Sequence, residues 1–172
     1  FFKQKTAYEI QVWLEFRRVL FRSEILADYP NITYLNDSGV TIEGIKFWGS
    51  PVTPWFHNWA FNRVGEEITK HWDLIPADTD VLITHGPPKG ILDETVHGRL
   101  HVGCGHLLKK VLEIKPKVHV FGHIHEARGV HEEAGIKFIN ASCVDLRYEL
   151  YYENPIQLDV WADTQDAQQI RS

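Results

Sequence analysis

Residues 118–126 read Val-His-Val-Phe-Gly-His-Ile-His-Glu, and this stretch limits the possible folds of the chain more than any other. An apolar run alternating in the strand manner stops at Gly122, and His123 and His125 follow at once, one residue apart. The strand fixes the backbone and the glycine lets the chain leave the sheet. The imidazoles are then left at the strand's carboxyl end, where open α/β sheets place their sites. Residues 80–84, Asp-Val-Leu-Ile-Thr, repeat the design, ending in His85-Gly86-Pro87-Pro88, again a histidine followed by residues that cannot continue a strand. With ten histidines in 172 residues a lone His-x-His pair is commonplace, so the second strand of the same design is what gives it weight.

The segment between the two strands predicts a helix over residues 104–112. Cys104, Leu107, Leu108, Val111 and Leu112 follow the i, i+3, i+4, i+7, i+8 pattern, leaving His106, Lys109 and Lys110 toward solvent. Pro116 separates this helix from the next strand. Strands joined by one helical crossover are normally parallel, which puts both exits on the same sheet edge. His85 and His123 are therefore expected in one site.

At these residues the chain resembles the calcineurin-like metallophosphoesterases. Thr84-His85-Gly86-Pro87-Pro88 and Gly122-His123-Ile124-His125 are similar to the last two signature blocks of that family. Trp55-Phe56-His57-Asn58-Trp59 and Phe138-Ile139-Asn140-Ala141-Ser142 are similar to its metallophosphoesterase-domain-containing branch, and the resemblance spans residues 24–160. It implies an α/β fold, a β-sandwich flanked by helices. The implied activity is hydrolysis of a phosphodiester or phosphomonoester by two divalent metal ions, His85 and His123 binding one ion and His125 the other. Imidazoles combined with carboxylates suit Mn, Fe or Zn. The implied substrate is a small phosphorylated molecule such as a cyclic nucleotide. Three upstream blocks of the family, Asp-x-His, Gly-Asp and Gly-Asn-His with an acidic residue, do not occur in this sequence. The family's leaving-group acid is the histidine of the third, so no catalytic acid is assigned. The expectation is a truncated metallophosphoesterase domain without its N-terminal strands, binding metal weakly and hydrolysing phosphoesters poorly or not at all.

The front of the chain differs in character from the rest. Residues 1–23 carry net charge +3 against −8 for the remainder, and the whole sequence has no methionine. Tyr8, Val12, Phe16 and Leu20 repeat at helical spacing, one reading being a basic amphipathic or targeting segment. The other reading, which we favour, is translated sequencing-adaptor text fused to an open reading frame. The expected organisation is thus a non-native segment over 1–23, a metallophosphoesterase domain over 24–162 and a polar tail over 163–172.

A chain of 172 residues is one domain by length. No apolar run approaches a membrane span, and a net charge of −5 argues against extended nucleic-acid binding. Cys104 and Cys143 are expected as two buried free thiols in a reducing cytoplasm.

Elsewhere the pattern predicts a helix end over 24–29, a hairpin of 32–35 with 40–43 around Asn36-Asp37-Ser38-Gly39, and strand continuation over 45–49. A helix is expected over 65–74 with Ile68, Trp72 and Ile75 inward, then a second hairpin of 128–130 with 136–140, and a final strand over 155–160. Residues 51–62 crowd aromatics into a proline-broken loop. Trp55, Trp59 and Phe61 form a lid packed on the core, or they hold His57 and Asn58 at the metal edge as substrate contacts. His71 reads as a solvated or capping side chain. Asp93, Glu94, His97, Arg99 and His101 border the site or are simply solvated. Glu126 supports a ligating imidazole or is a solvated loop residue.

Two other functions compete. A non-catalytic relative would use the aromatic loop to bind a nucleotide or partner. An amidohydrolase also uses His-x-His, but on an early barrel strand, and too little chain follows residue 125 for a barrel.

Overall fold

Two hairpins frame the sheet, and both turn on the same device. Glu43 and Gly44 have φ of 50° and 81°, and Ala134 and Gly135 have 53° and 79°. Two consecutive residues with positive φ make the two-residue turn whose twist matches the flanking strands, with glycine at the second position removing the steric cost. The first turn joins β1 (Ser38–Ile42) to β2 (Ile45–Ser50), a hairpin lying further along the chain than the predicted 32–35 with 40–43. The computed structural model describes residues 29, 31–57, 59–150 and 156–161, so the expectations for 1–23, 24–28, 163–172, Asn58 and Pro155 lie outside the described residues.

After β2 come the two-residue strands β3 (Thr53–Pro54) and β4 (Asn62–Arg63), then α1 (Glu67–Trp72), β5 (Val81–Thr84), α2 (Gly105–Ile114) and β6 (Val118–Phe121). A 3-10 turn over His125–Ala127 leads to β7 (Gly129–Glu133) and β8 (Ile136–Asn140). The main sheet has the order β1-β2-β5-β6-β8-β7. Its four central strands are parallel and its two outer strands antiparallel. The fold is thus mixed α/β. Among the described residues the second large sheet of a sandwich is not present; β3 and β4 pair only with each other.

One sheet face carries the core. Leu82, Phe121, Ile136 and Phe138 meet Trp72 and Ile68 of α1 and Leu107 and Val111 of α2. Leu107 and Val111 are fully buried, worth about 1.5–3 kcal/mol each in apolar transfer. The helix is set at both ends: the Leu107 amide donates to Cys104 Sγ at 3.4 Å, and Lys115 adopts φ 50° just before Pro116. Ile68, Trp72 and Ile75 face inward as their spacing predicts.

The other face holds Val81, Val118 and Ile139 beneath Ile156, Leu158 and Val160. Residues 156–160 alternate inward and outward as a strand would, yet they join no ladder, so the predicted final strand is absent from the described part. Cys104 is buried, but Cys143 is exposed, because its segment leaves β8 over the surface. No helix among the described residues is long and apolar enough to cross a membrane.

Candidate metal centre

The parallel pairing of β5 and β6 aligns Ile83 with Val120, so the two chains leave the sheet side by side. The Gly122 amide donates to the His85 carbonyl oxygen at 3.0 Å and carries that alignment past the last ladder pair. His85 Nε2 then lies 3.2 Å from His123 Nδ1, with ring centroids 4.8 Å apart. That separation suits two imidazole nitrogens held side by side at about 2.1 Å from one ion. The pairing expected of His85 and His123 is what the structure brings together.

His123 reaches this position only through an unusual backbone. Its φ is 71°, and the Ile124 amide donates to the Gly122 carbonyl at 2.9 Å across it, the geometry of a rare three-residue turn. A side chain other than glycine costs about 1–2 kcal/mol there. Such strain concentrates where function requires a particular geometry.

His125, in the 3-10 turn, has Nδ1 3.0 Å from the Asp145 carbonyl oxygen. A carbonyl only accepts, so Nδ1 carries a proton and donates it. A ligating histidine characteristically has its second nitrogen tied this way. Asp145 acts through its main chain, which no sequence pattern signals.

Electrostatics favour neutral rings. Burial, then the neighbouring His123 and His125, push the His85 imidazole down to about 3. Burial and His125 lower His123 too, against an opposing pull from Glu126. At neutral pH both offer lone pairs. Nitrogen donors thus fit part of a metal site, but among the described residues no three His, Cys, Asp or Glu side chains form a group able to hold an ion.

Behind His85, buried Thr84 donates its hydroxyl to the Gly86 carbonyl oxygen at 2.8 Å and accepts from His119 Nε2 at 2.9 Å. His119 is fully buried and its Nδ1 has no hydrogen-bond partner. Glu126 accepts the Val96 amide at 3.0 Å, so it fastens the loop over 89–103 instead of bonding a ligating imidazole.

The aromatic loop borders this centre. Phe56 and Trp59 stand edge-on to the His123 ring at centroid distances of 5.9 and 6.0 Å. Both are exposed, as is Trp55, while Phe61 is half-buried, so Trp55 and Trp59 do not form the core-packed lid of the alternative reading. His57 is exposed and lies beside these rings, 4.4 Å from Phe56 and 6.4 Å from Trp59. Asn62 Nδ2 closes the loop by donating to the Phe56 and His57 carbonyls, each at 3.1 Å.

Other candidates serve the scaffold. His71 accepts from Arg63 Nε at 3.0 Å and donates to Asp37 at 2.7 Å, while Ser50 donates to the same carboxylate at 2.6 Å. Asp93 is not solvated; it is buried and accepts the Gly90 and Gly103 amides at 2.9 Å each and His101 Nδ1 at 2.6 Å. Glu94 and Arg99 pair with each other on the surface.

No family model matches the chain. The human metallophosphoesterase domain-containing protein 1 is 45% identical over 121 residues, which cover 69% of this chain and 37% of that protein. This chain belongs to the metallophosphoesterase-domain branch. A Caenorhabditis elegans UPF0046 protein of the same group is 45% identical over 112 residues, covering 65% of this chain and 38% of the relative. The chain therefore spans a little over a third of these metallophosphoesterase-domain relatives. A solved crystal structure with 21% identity superposes with a TM-score of 0.53 over 70% of this chain and 50% of the other, supporting a related fold.

Proposed function

We propose that this chain carries the histidine part of a metal-dependent phosphoesterase centre. The observation that carries the reading is the 3.2 Å approach of His85 Nε2 to His123 Nδ1 at two parallel strand exits. His85 and His123 would share one divalent ion and His125 would serve a second, with Mn, Fe or Zn suited to nitrogen donors. A bound ion neutralises charge on phosphoryl oxygens. The residues themselves orient the donors: the Asp145 carbonyl fixes the His125 tautomer, and Phe56 and Trp59 wall His123 on one side. The same rings offer a stacking face for a small phosphorylated substrate such as a cyclic nucleotide, with His57 and Asn58 of that loop as further contacts. Cys104 and Cys143 are free thiols, which suits a reducing cytoplasm.

Three nitrogen donors split over two ions do not close a bridged pair, so this polypeptide hydrolyses phosphoesters poorly or not at all. Titration calorimetry with zinc and manganese, together with turnover of bis(4-nitrophenyl) phosphate, tests both halves. Weak metal binding lost in His85→Ala, with negligible turnover, is expected. Metal binding unchanged in His85→Ala would overturn the site, and turnover matching a full-length relative would overturn the inactivity.

The exposed Phe56 and Trp59 favour a second reading, a non-catalytic nucleotide- or partner-binding module. Nucleotide affinity that survives without metal and without His85 and His123 would favour it.

A further inference from the structure

The last residue of β8 is buried beside the exit of β6. Asn140 is completely buried and is paired in register with Phe121, the residue at which β6 ends. Its side-chain amide has every bonding direction committed. Nδ2 donates to the Ile124 carbonyl oxygen at 2.8 Å and to the Leu92 carbonyl oxygen at 3.2 Å. Oδ1 accepts the Ser142 amide at 3.1 Å and the Ser142 hydroxyl at 2.7 Å. Two donors meet two carbonyls and the oxygen meets two donors, so the amide has one orientation and no aspartate or leucine reproduces it.

Ile124 is the residue between His123 and His125, and its amide closes the strained turn at His123. Its carbonyl is the group that Asn140 holds. The turn is thereby pinned at both ends, by the Gly122 amide on His85 and by Asn140 on Ile124. Leu92 brings in the 89–103 loop, so three segments far apart in sequence converge on one side chain. Arg128 Nη1 donates to the Ser142 carbonyl at 2.7 Å and steadies the strand exit that carries Asn140 and Ser142.

We propose that Asn140 is the positioning residue of this centre, holding His123 in its left-handed conformation and so setting the approach of its ring to His85. It touches no ion and no substrate; it acts through Ile124. The significance of that geometry for metal binding rests on the function proposed above, while the positioning itself is testable without metal.

The test uses the 172-residue chain and its Asn140→Ala variant. A Val111→Ala variant, destabilised in α2 away from the centre, serves as control. Histidine-ring NMR in the absence of metal reads inter-ring contacts between His85 and His123. Zinc calorimetry then reads affinity. Loss of the inter-ring contacts in Asn140→Ala but not in Val111→Ala is expected, with zinc affinity falling about 10–100-fold in the former and staying within about threefold in the latter. Inter-ring contacts that persist in Asn140→Ala, or vanish equally in the control, overturn the proposal. If the contacts collapse while the parent chain itself binds no zinc, the positioning stands and the metal reading fails. Should Asn140→Ala not fold, Asn140→Asp, which keeps the size but as a carboxylate only accepts and so loses both donated bonds, is read in the same way.

Discussion

The carboxylate of Glu126 accepts the Val96 amide at 3.0 Å, joining the residue after His125 to a loop thirty positions upstream. The contact is at the surface, so its effect on global stability is small, about 1 kcal/mol or less. Its local effect is larger. Glu126→Ala is expected to speed hydrogen exchange at Val96 while leaving the amides of β5 and β6 protected. Unchanged exchange at Val96 would refute the link.

Asp93 offers a stronger test of the same loop, since it is buried and accepts two main-chain amides and an imidazole. Asp93→Ala strands the Gly90 and Gly103 amides, and a loss of roughly 2–5 kcal/mol in urea unfolding is expected. Gly103→Ala is also expected to destabilise, because an added Cβ would lie 2.5 Å from the Pro88 carbonyl oxygen and 2.8 Å from Asp93 Oδ2. A neutral outcome for either variant would contradict this packing.

His119 is expected to make the fold acid-sensitive. Burial pushes its imidazole from an ordinary 6.5 down to about 3. Between those values the unfolded chain binds the proton and the folded chain does not. The contribution to stability is therefore fully present above 6.5 and is lost progressively as pH falls toward 3, at up to about 1.4 kcal/mol per pH unit. His119→Phe keeps a ring of similar shape between Phe121 and Phe138 and leaves the Thr84 hydroxyl bonded to Gly86. Urea unfolding at pH 7 and pH 5 is expected to show about 2 kcal/mol less acid-induced loss in the variant than in the parent chain. Equal losses would show that His119 is not the titrating group.

Phe56 and Trp59 separate the roles of ring and ligand. Base stacking on an aromatic side chain is worth about 1–3 kcal/mol. A Phe56→Ala, Trp59→Ala double variant is expected to bind adenosine monophosphate at least tenfold more weakly by fluorescence titration, with zinc affinity within about threefold of the parent. Undiminished nucleotide binding would remove the loop from the substrate site.

The sequence discloses the site's skeleton better than its supports. Residues 80–85 and 118–125 are legible because each apolar run ends in residues that cannot prolong a strand, and α2 because its apolar stripe is uninterrupted. The first hairpin is misplaced because Asn36-Asp37-Ser38-Gly39 is richer in turn formers than Glu43-Gly44. The side chains of that richer cluster are used tertiarily, with Asp37 holding His71 and Ser50. Residues 156–160 show that a period of two reports which side chains face inward, while a ladder also needs a partner backbone. Asp93 and Asn140 bond across 10 and 48 residues respectively, and local composition carries no trace of such distances.

The sheet order has a consequence for assembly. From β1 through β2, β5 and β6, each strand lies beside its predecessor in the sheet, so a chain emerging from its N-terminal side extends an existing edge and never has to part strands already joined. His85 and His123 both precede β8 in the chain. Asn140, at the end of β8, follows them, so on the positioning proposed above the two imidazoles belong to strands already adjacent in the chain order, while their mutual angle depends on the last parallel strand.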